Sequence, residues 1–206
     1  MNMFDERASE WDSDPSKVER ARILSKLISK ALNNSPFEKA MEYGCGTGLL
    51  SFALKDEFDS IDLVDTSPGM LAVLQLKIEA SEILNMHPYL LDLLAKKDIP
   101  AHYGIIYSLL TLHHIPQTQQ IMQKFYDILQ PGGMLCISDL DTEDGTFHPA
   151  DTKDIHFGFD RNELSDIAKK AGFEKITFCN AMNITKMAAG MEKTFPLFMM
   201  TARKPL

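Results

Sequence analysis

The residues best suited to chemistry form the run Glu42-Tyr43-Gly44-Cys45-Gly46-Thr47-Gly48. Alternating glycines let a backbone turn sharply and let a ligand approach without meeting a Cβ. A dinucleotide turn spaces its glycines GxGxxG, so that pyrophosphate meets a helix N-terminus. The GxGxG spacing here suits a ligand without phosphates. Asp65, at the end of Ile61-Asp62-Leu63-Val64, lies 17 residues beyond Gly48, near the spacing of one strand-helix-strand step. It admits two readings: an acceptor for a pair of ribose hydroxyls, or a strand-end carboxylate that caps the next helix. His113 and His114 follow the apolar run Ile105–Leu112. Either one of them takes a proton from a substrate nucleophile, which imidazole can do near neutral pH, or one packs on a ligand while the other faces solvent. The loop Asp139–His148 adds Asp139, Asp141, Glu143 and Asp144. These carboxylates make either a solvated loop or an electronegative mouth favouring a cationic or neutral acceptor over an anionic one. Asp139, Asp141 and the nearby histidines could hold a divalent ion, but no ligand spacing marks one, and no metal is expected.

Such residues need elements to position them. Asp14-Pro15 supplies an N-cap and a first-turn proline for a helix bearing Leu24, Leu27, Ile28, Ala31 and Leu32, stopped at Asn33-Asn34-Ser35-Pro36. A strand over Lys39–Tyr43 runs into the glycine turn, and a helix through Leu49, Leu50, Ala53 and Leu54 follows. The strand Ser60–Val64 precedes a helix opened by Ser67-Pro68 and carrying Leu71, Leu74 and Ile78. A third strand is predicted over 86–91 and a fourth over Ile105–Leu110, apolar enough to be buried on both faces of a parallel sheet. A helix through Ile121, Phe125, Ile128 and Leu129 ends at Pro131-Gly132-Gly133, and Met134–Leu140 forms the fifth strand. After a polar loop over Asp141–Gly158, Asp160-Arg161-Asn162-Glu163 is a capping box for a helix bearing Leu164, Ile167 and Ala168 and stopped by Gly172. Strands near Lys175–Asn180 and Phe195–Ala202 close the chain with no crossover helix between them, so the last runs antiparallel. The expected fold is α/β: a seven-stranded, mostly parallel Rossmann-like sheet with helices on both faces and the last strand antiparallel.

Glu42, Gly44, Gly46 and Gly48 resemble the first motif of the class I S-adenosylmethionine-dependent methyltransferases. The resemblance implies that the glycine turn lies beside the amino-acid part of S-adenosyl-L-methionine, that Asp65 accepts from the ribose, and that Thr66 and Met70 of Asp65-Thr66-Ser67-Pro68-Gly69-Met70-Leu71 flank the adenosine. It implies further that Asp92 reads the adenine amino group, a donor that suits a carboxylate, and that Thr47, Leu93 and Leu109 belong to the same site. Motifs cover roughly 37–142, and 160–202 match only as an element pattern. The branch is the small-molecule one, similar to the ubiquinone and menaquinone methyltransferases, whose N-terminal segment often folds over the cofactor. Phe4 and Trp11 are then lid aromatics, or else surface aromatics docking the first helix. The family often has Asp before the fourth strand, where this chain has Tyr103-Gly104.

The whole chain, 206 residues with 45% hydrophobic and 24% charged side chains, is sized for one domain over 1–206, with 1–35 as an N-terminal cap and helix segment. A net charge of −8 argues against nucleic acid or anionic membrane as partner. Cys45, Cys136 and Cys179 form no CxxC pair and read as reduced thiols of a cytoplasmic protein. The acidic start is unlike a signal peptide, and no apolar run is long enough to span a membrane. The expected function is methyl transfer to a small-molecule acceptor. A non-catalytic cofactor-binding regulator and a nicotinamide-dependent oxidoreductase are the alternatives, and the sequence leaves monomer or homodimer open.

Overall fold

The computed structural model describes residues 3–33, 37–95, 102–149 and 152–206. Asn34, Ser35 and Pro36 of the expected helix stop lie outside them, as do Ala150 and Asp151 of the expected loop. A short helix α1 (Met3–Arg7) and a 3-10 turn (Ala8–Ser13) lead into α2 (Pro15–Leu32), whose N-cap Asp14 accepts from the Ser16 amide. Strands and helices then alternate: β1 (Lys39–Tyr43), α3 (Leu49–Leu54), β2 (Ser60–Asp65), α4 (Pro68–Ala80), β3 (Met86–Leu90), β4 (Tyr103–Leu109), α5 (Thr118–Ile128) and β5 (Leu129–Leu140). Helix α6 (Arg161–Ala171), capped by Asp160 as its sequence demands, precedes β6 (Glu174–Ala188) and β7 (Met191–Arg203).

The seven strands form one sheet in the order β3-β2-β1-β4-β5-β7-β6. Pairs from β3 through β5 are parallel, and β7 is antiparallel to both β5 and β6. Successive strand residues point to opposite faces, and both faces are covered. On one, Met41, Tyr43, Ile106, Leu135 and Phe198 pack against Ile121 and Phe125 of α5 and Leu164 of α6. On the other, Ala40, Ile61, Leu63, Tyr107 and Met199 pack against Leu24 and Ile28 of α2, Leu54 of α3 and Leu74 of α4. From β1 the chain proceeds outward through β2 and β3, whereas β4 and β5 lie on its other side. The strand order therefore reverses between β1 and β4, and a crevice opens beyond their carboxyl ends.

Two expectations change in detail. Leu129 is the extended C-cap of α5 and the first residue of β5, and Pro131 holds the next residue, Gln130, out of the helical region. The closing strands are far longer than Lys175–Asn180 and Phe195–Ala202: β6 and β7 form one hairpin, turned by Ala189 (φ 50°) and Gly190 (φ 80°). Positive φ at both turn residues matches the right-handed twist of the flanking strands. Among the described residues, no helix is long and apolar enough to cross a membrane.

Phe125 ties the carboxyl end of β1 to α5: it is fully buried and sits edge-on to Tyr43 at 5.1 Å. Phe125→Ala should cost about 3–5 kcal/mol, read as a lower denaturation midpoint at unchanged slope.

Candidate functional site

Beyond the β1 and β4 ends lies an open cavity of about 950 Å³. The glycine turn forms its floor. Gly44, Gly46 and Gly48 all have positive φ (69°, 51° and 80°). A Cβ on Gly44 would come within 2.2 Å of the Thr111 side chain, whereas one on Gly46 would meet nothing nearer than Met70 Sδ at 3.9 Å. Gly44 thus serves packing against the loop after β4, and Gly46 leaves open space above the turn. Gly48 does not line the cavity; it packs on Leu74, which a Cβ would approach to 2.6 Å.

Glu42 is 3% exposed beneath this turn. Its carboxylate accepts from the Ser51 amide at 3.1 Å and from the Ser51 hydroxyl, which also lies 2.7 Å from the Tyr107 hydroxyl. Burial pushes its carboxyl up to about 8, against the lowering pull of the Ser51 bonds. Asp65 ties two loops together at the cavity. It lines the cavity, and its two oxygens accept from Gly46 N (2.7 Å) and Ser67 N (2.8 Å). Burial raises its carboxyl too, opposed by those amide bonds.

Thr47, Thr66, Met70 and Leu109 line the same cavity. Asp92 and Leu93 do not. Asp92 is exposed and turns its carboxylate back onto the Leu94 amide at 2.8 Å, while Leu93 is 0% exposed in the core. Leu91 instead reaches the cavity from this segment.

The N-terminal segment closes one side. Asp5 accepts from Ser67 Oγ (2.6 Å) and Gly69 N (2.9 Å), and Asp12 accepts from Thr47 Oγ1 and Lys77 Nζ, each at 2.5 Å. Phe4 and Trp11 both line the cavity, and the Phe4 ring stands edge-on to His114 at 5.2 Å.

At the opposite end, three imidazoles converge. His113, 1% exposed, bonds Asp139 Oδ1 through Nδ1 at 2.6 Å, and its Nε2 lies 2.9 Å from His148 Nε2. The His114 ring lies tilted at 4.1 Å from His113 and edge-on at 5.0 Å from His148. Burial, helped by the neighbouring His113, holds His114 down at about 3 and His148 at about 4. Both rings are thereby biased toward the neutral form. His148 had no motif to announce it; only the fold returns the loop after β5 to the one after β4.

The loop carboxylates do not form an electronegative mouth, because each has a local partner. Asp139 holds His113, Asp141 pairs with Arg161 at 2.6 Å, Asp144 pairs with Lys193 at 2.6 Å, and Glu143 accepts from the Thr146 and Phe147 amides. The cavity wall receives Arg7, Arg20 and Lys186, together with Asp14, Glu19 and Asp154. Burial and then the nearby Arg20 guanidinium hold Lys186 below its ordinary value. Its ammonium donates to the Phe147 carbonyl and lies 3.7 Å from that ring's centre.

Residues 41–135 match the family model described as a methyltransferase domain. The ubiquinone biosynthesis O-methyltransferase of Pseudomonas entomophila (strain L48) is 26% identical over 102 residues, 49% of this chain and 44% of that one. The chain spans about half the length of the curated relatives it matches. Among solved structures, a Haemonchus contortus phosphoethanolamine N-methyltransferase 2, in complex with phosphomonomethylethanolamine and S-adenosylhomocysteine, superposes with TM-score 0.66 at 18% identity, covering 82% of this chain and 49% of that one. The N-methyltransferase NodS from Bradyrhizobium japonicum WM9 does so with TM-score 0.69 at 14% identity, covering 95% and 99%. The sheet order is that of a Rossmann-like fold, and residues 41–135 are similar to a methyltransferase domain. The matched segment carries the glycine turn, Asp65 and the two adjacent histidines.

The buried Glu42 generates a pH signature. Its folded value of about 8 lies above the ordinary 4.5, so between these the folded state keeps a proton that the unfolded chain has released. Its contribution to stability is complete below about pH 4.5 and is lost as pH rises through about 8, by at most about 1.4 kcal/mol per pH unit. Glu42→Gln keeps an acceptor for Ser51 and cannot ionise. Denaturation midpoints from pH 4 to 9 should therefore fall less steeply in this variant than in the wild type.

Proposed function

We propose that the chain is an S-adenosyl-L-methionine-dependent methyltransferase acting on a small-molecule acceptor, with 1–206 as one domain, 1–35 as its cap, and the cytoplasm as its site of action. The observation that carries this reading is the continuity of one cavity, from the glycine turn to the imidazole cluster. The cofactor end comprises Glu42, Gly44, Gly46, Asp65, Thr66, Met70 and Leu109, with Thr47 tied to Asp12 as its wall. Each carboxylate oxygen accepts more than one hydrogen bond, so Asp65 keeps capacity for ribose hydroxyls while holding Gly46 and Ser67. Gly48, Asp92 and Leu93 are left out of this assignment on the geometry above.

Methyl transfer from a sulfonium is an in-line displacement with an already activated donor. The protein's task is alignment and exclusion of water. The acceptor's nucleophilic atom lies against His113, His114 and His148. Its remainder extends toward Arg7, Arg20 and Lys186, which favours an acceptor bearing a carboxylate or phosphate, since two cations brought together from α2 and β6 are relieved by an anion. The likeness to a ubiquinone biosynthesis O-methyltransferase and to a phosphoethanolamine N-methyltransferase supports a small molecule as acceptor.

Calorimetry should detect binding of S-adenosylmethionine and S-adenosylhomocysteine, and the melting temperature should rise with ligand excess. Gly46→Val should abolish that binding in a folded protein, because a branched side chain enters the open space at a positive φ. Asp65→Ala should weaken binding by about 1.5–3 kcal/mol, the scale of bonds to a charged group. Unchanged affinity in Asp65→Ala would leave this carboxylate a purely structural tie between loops. No heat and no thermal shift at about 1 mM ligand, in a range where even weak binders register, would overturn the functional reading.

Arg20→Ala and Lys186→Ala should raise KM for the acceptor without changing cofactor affinity. Equal KM in both variants would remove the anionic-acceptor assignment alone.

A further inference from the structure

The imidazole cluster is more ordered than cavity packing requires. His113, His114 and His148 present ring nitrogens that all lie within 4.8 Å of one another. Two come from the turn after β4 and one from the loop after β5, so the fold rather than a local motif assembles them. The Asp139 carboxylate, 0% exposed, takes the Nδ1 proton of His113 and so leaves its Nε2 lone pair aimed at His148 Nε2. A carboxylate behind an imidazole in this way is the arrangement that orients metal-bound histidines and raises their ligand strength. His114 has no hydrogen-bond partner for its ring among the described residues, although it is held between Phe4, His113 and His148. His156, by contrast, is tied to the Ile115 carbonyl (3.0 Å) and Thr118 Oγ1 (3.1 Å) and stands apart from the cluster.

We propose that His113, His114 and His148 form a three-imidazole site for a divalent ion of the zinc class, with Asp139 fixing His113 from behind and the cavity side open to the acceptor. This deepens the methyltransferase reading and rests on it. Three histidines with a fourth position left free is the ligand set of a catalytic rather than a structural zinc centre. With Zn–N near 2.0–2.1 Å, tetrahedral geometry needs ring nitrogens about 3.3 Å apart. The observed 2.9 Å between His113 and His148 must then open by a few tenths of an ångström, and the widest separation in the trio, within 4.8 Å, must close toward the same value. In the metal-free protein the hydrogen between these two nitrogens belongs to His148 Nε2. Metal binding moves it to His148 Nδ1, so the ring stays neutral. Neutral rings are what metal ligation requires.

The chemistry follows. A hydroxyl or thiol of the acceptor takes the open position, where the ion lowers its pKa, and its proton passes to water. The resulting oxygen or sulfur anion attacks the methyl carbon. A new O–C or S–C bond forms as the sulfonium S–C bond breaks, and that electron pair stays on the departing thioether sulfur.

The test uses the full chain freed of metal by chelator and titrated with zinc chloride alone. Calorimetry should show one tight equivalent, and cobalt(II) in its place should give the intense visible absorption of a tetrahedral site. His148→Ala, on the loop, and His114→Ala should each weaken zinc binding at least 100-fold while circular dichroism and cofactor affinity stay unchanged. Asp139→Asn should weaken zinc binding by about 10–100-fold. No zinc bound by the wild type, or an equivalent retained at full affinity in both His148→Ala and His114→Ala, overturns the site. Zinc binding without cofactor binding would instead overturn the methyltransferase reading and leave the metal site standing.

Discussion

One carboxylate holds the floor of the cavity together. Asp65 lies at the tip of β2, yet its two oxygens are divided between Gly46 N in the turn after β1 and Ser67 N at the start of α4. Backbone amides at a sharp turn need acceptors, and at the end of a parallel strand no neighbouring strand supplies them. Asp65 satisfies two at once and thereby fixes the distance between two loops that any ligand lying across β1 and β2 must touch. The N-terminal segment uses the same device. Asp5 and Asp12 satisfy donors of Ser67, Gly69, Thr47 and Lys77 on those same loops. The cavity wall and the cavity floor thus share one hydrogen-bond system.

Much of this was legible from residue order. The alternation of strand and helix, the reversed last strand and the α6 capping box depend on local periodicity and on loop lengths too short for a crossover, and both are written along the chain. Glu42, Gly44, Gly46, Asp65, Thr66 and Met70 were legible as cavity residues because a glycine turn at a strand end constrains residue type at fixed spacing. Three features were not. The hairpin residues 181–194 mix polar and apolar side chains because β6 is an edge strand with both faces partly wet, so no clear period marks them. Asp92 looked like a ligand because its position in a motif says nothing about the Leu94 amide that its own backbone offers it. His148 is 35 residues beyond His113, and only the pairing of β4 with β5 makes them neighbours.

The charge pattern teaches a related lesson. A run of carboxylates between 139 and 144 looks electronegative when counted along the chain. In space, each meets a cation, an imidazole or a turn amide contributed by another part of the fold, and their field is spent locally. Cations that are distant in sequence also meet in space: Arg7 and Arg20 from the N-terminal helices and Lys186 from the hairpin all reach the cavity wall. The charges facing the cavity are therefore set by the fold, and a protein with net charge −8 brings Arg7, Arg20 and Lys186 to one cavity.

The place of β7 in the sheet has a consequence for how the molecule is made. It is the last of the seven strands to be synthesised, and it lies inside the sheet, between β5 and β6. Phe198, Met200 and Ala202 are fully buried there. Until those residues leave the ribosome, β5 presents an unpaired edge bearing Leu135 and Ile137, and β6 has no partner at all. Vectorial synthesis cannot complete this sheet stepwise. The domain must wait as an open half-sheet and close in a late, long-range event, the kind of topology that folds slowly and exposes a growing chain to misassociation. Asp139, which fixes His113, sits on the waiting edge of β5, paired at last with Phe198. The imidazole end of the cavity is thus the final part of the protein to acquire its shape.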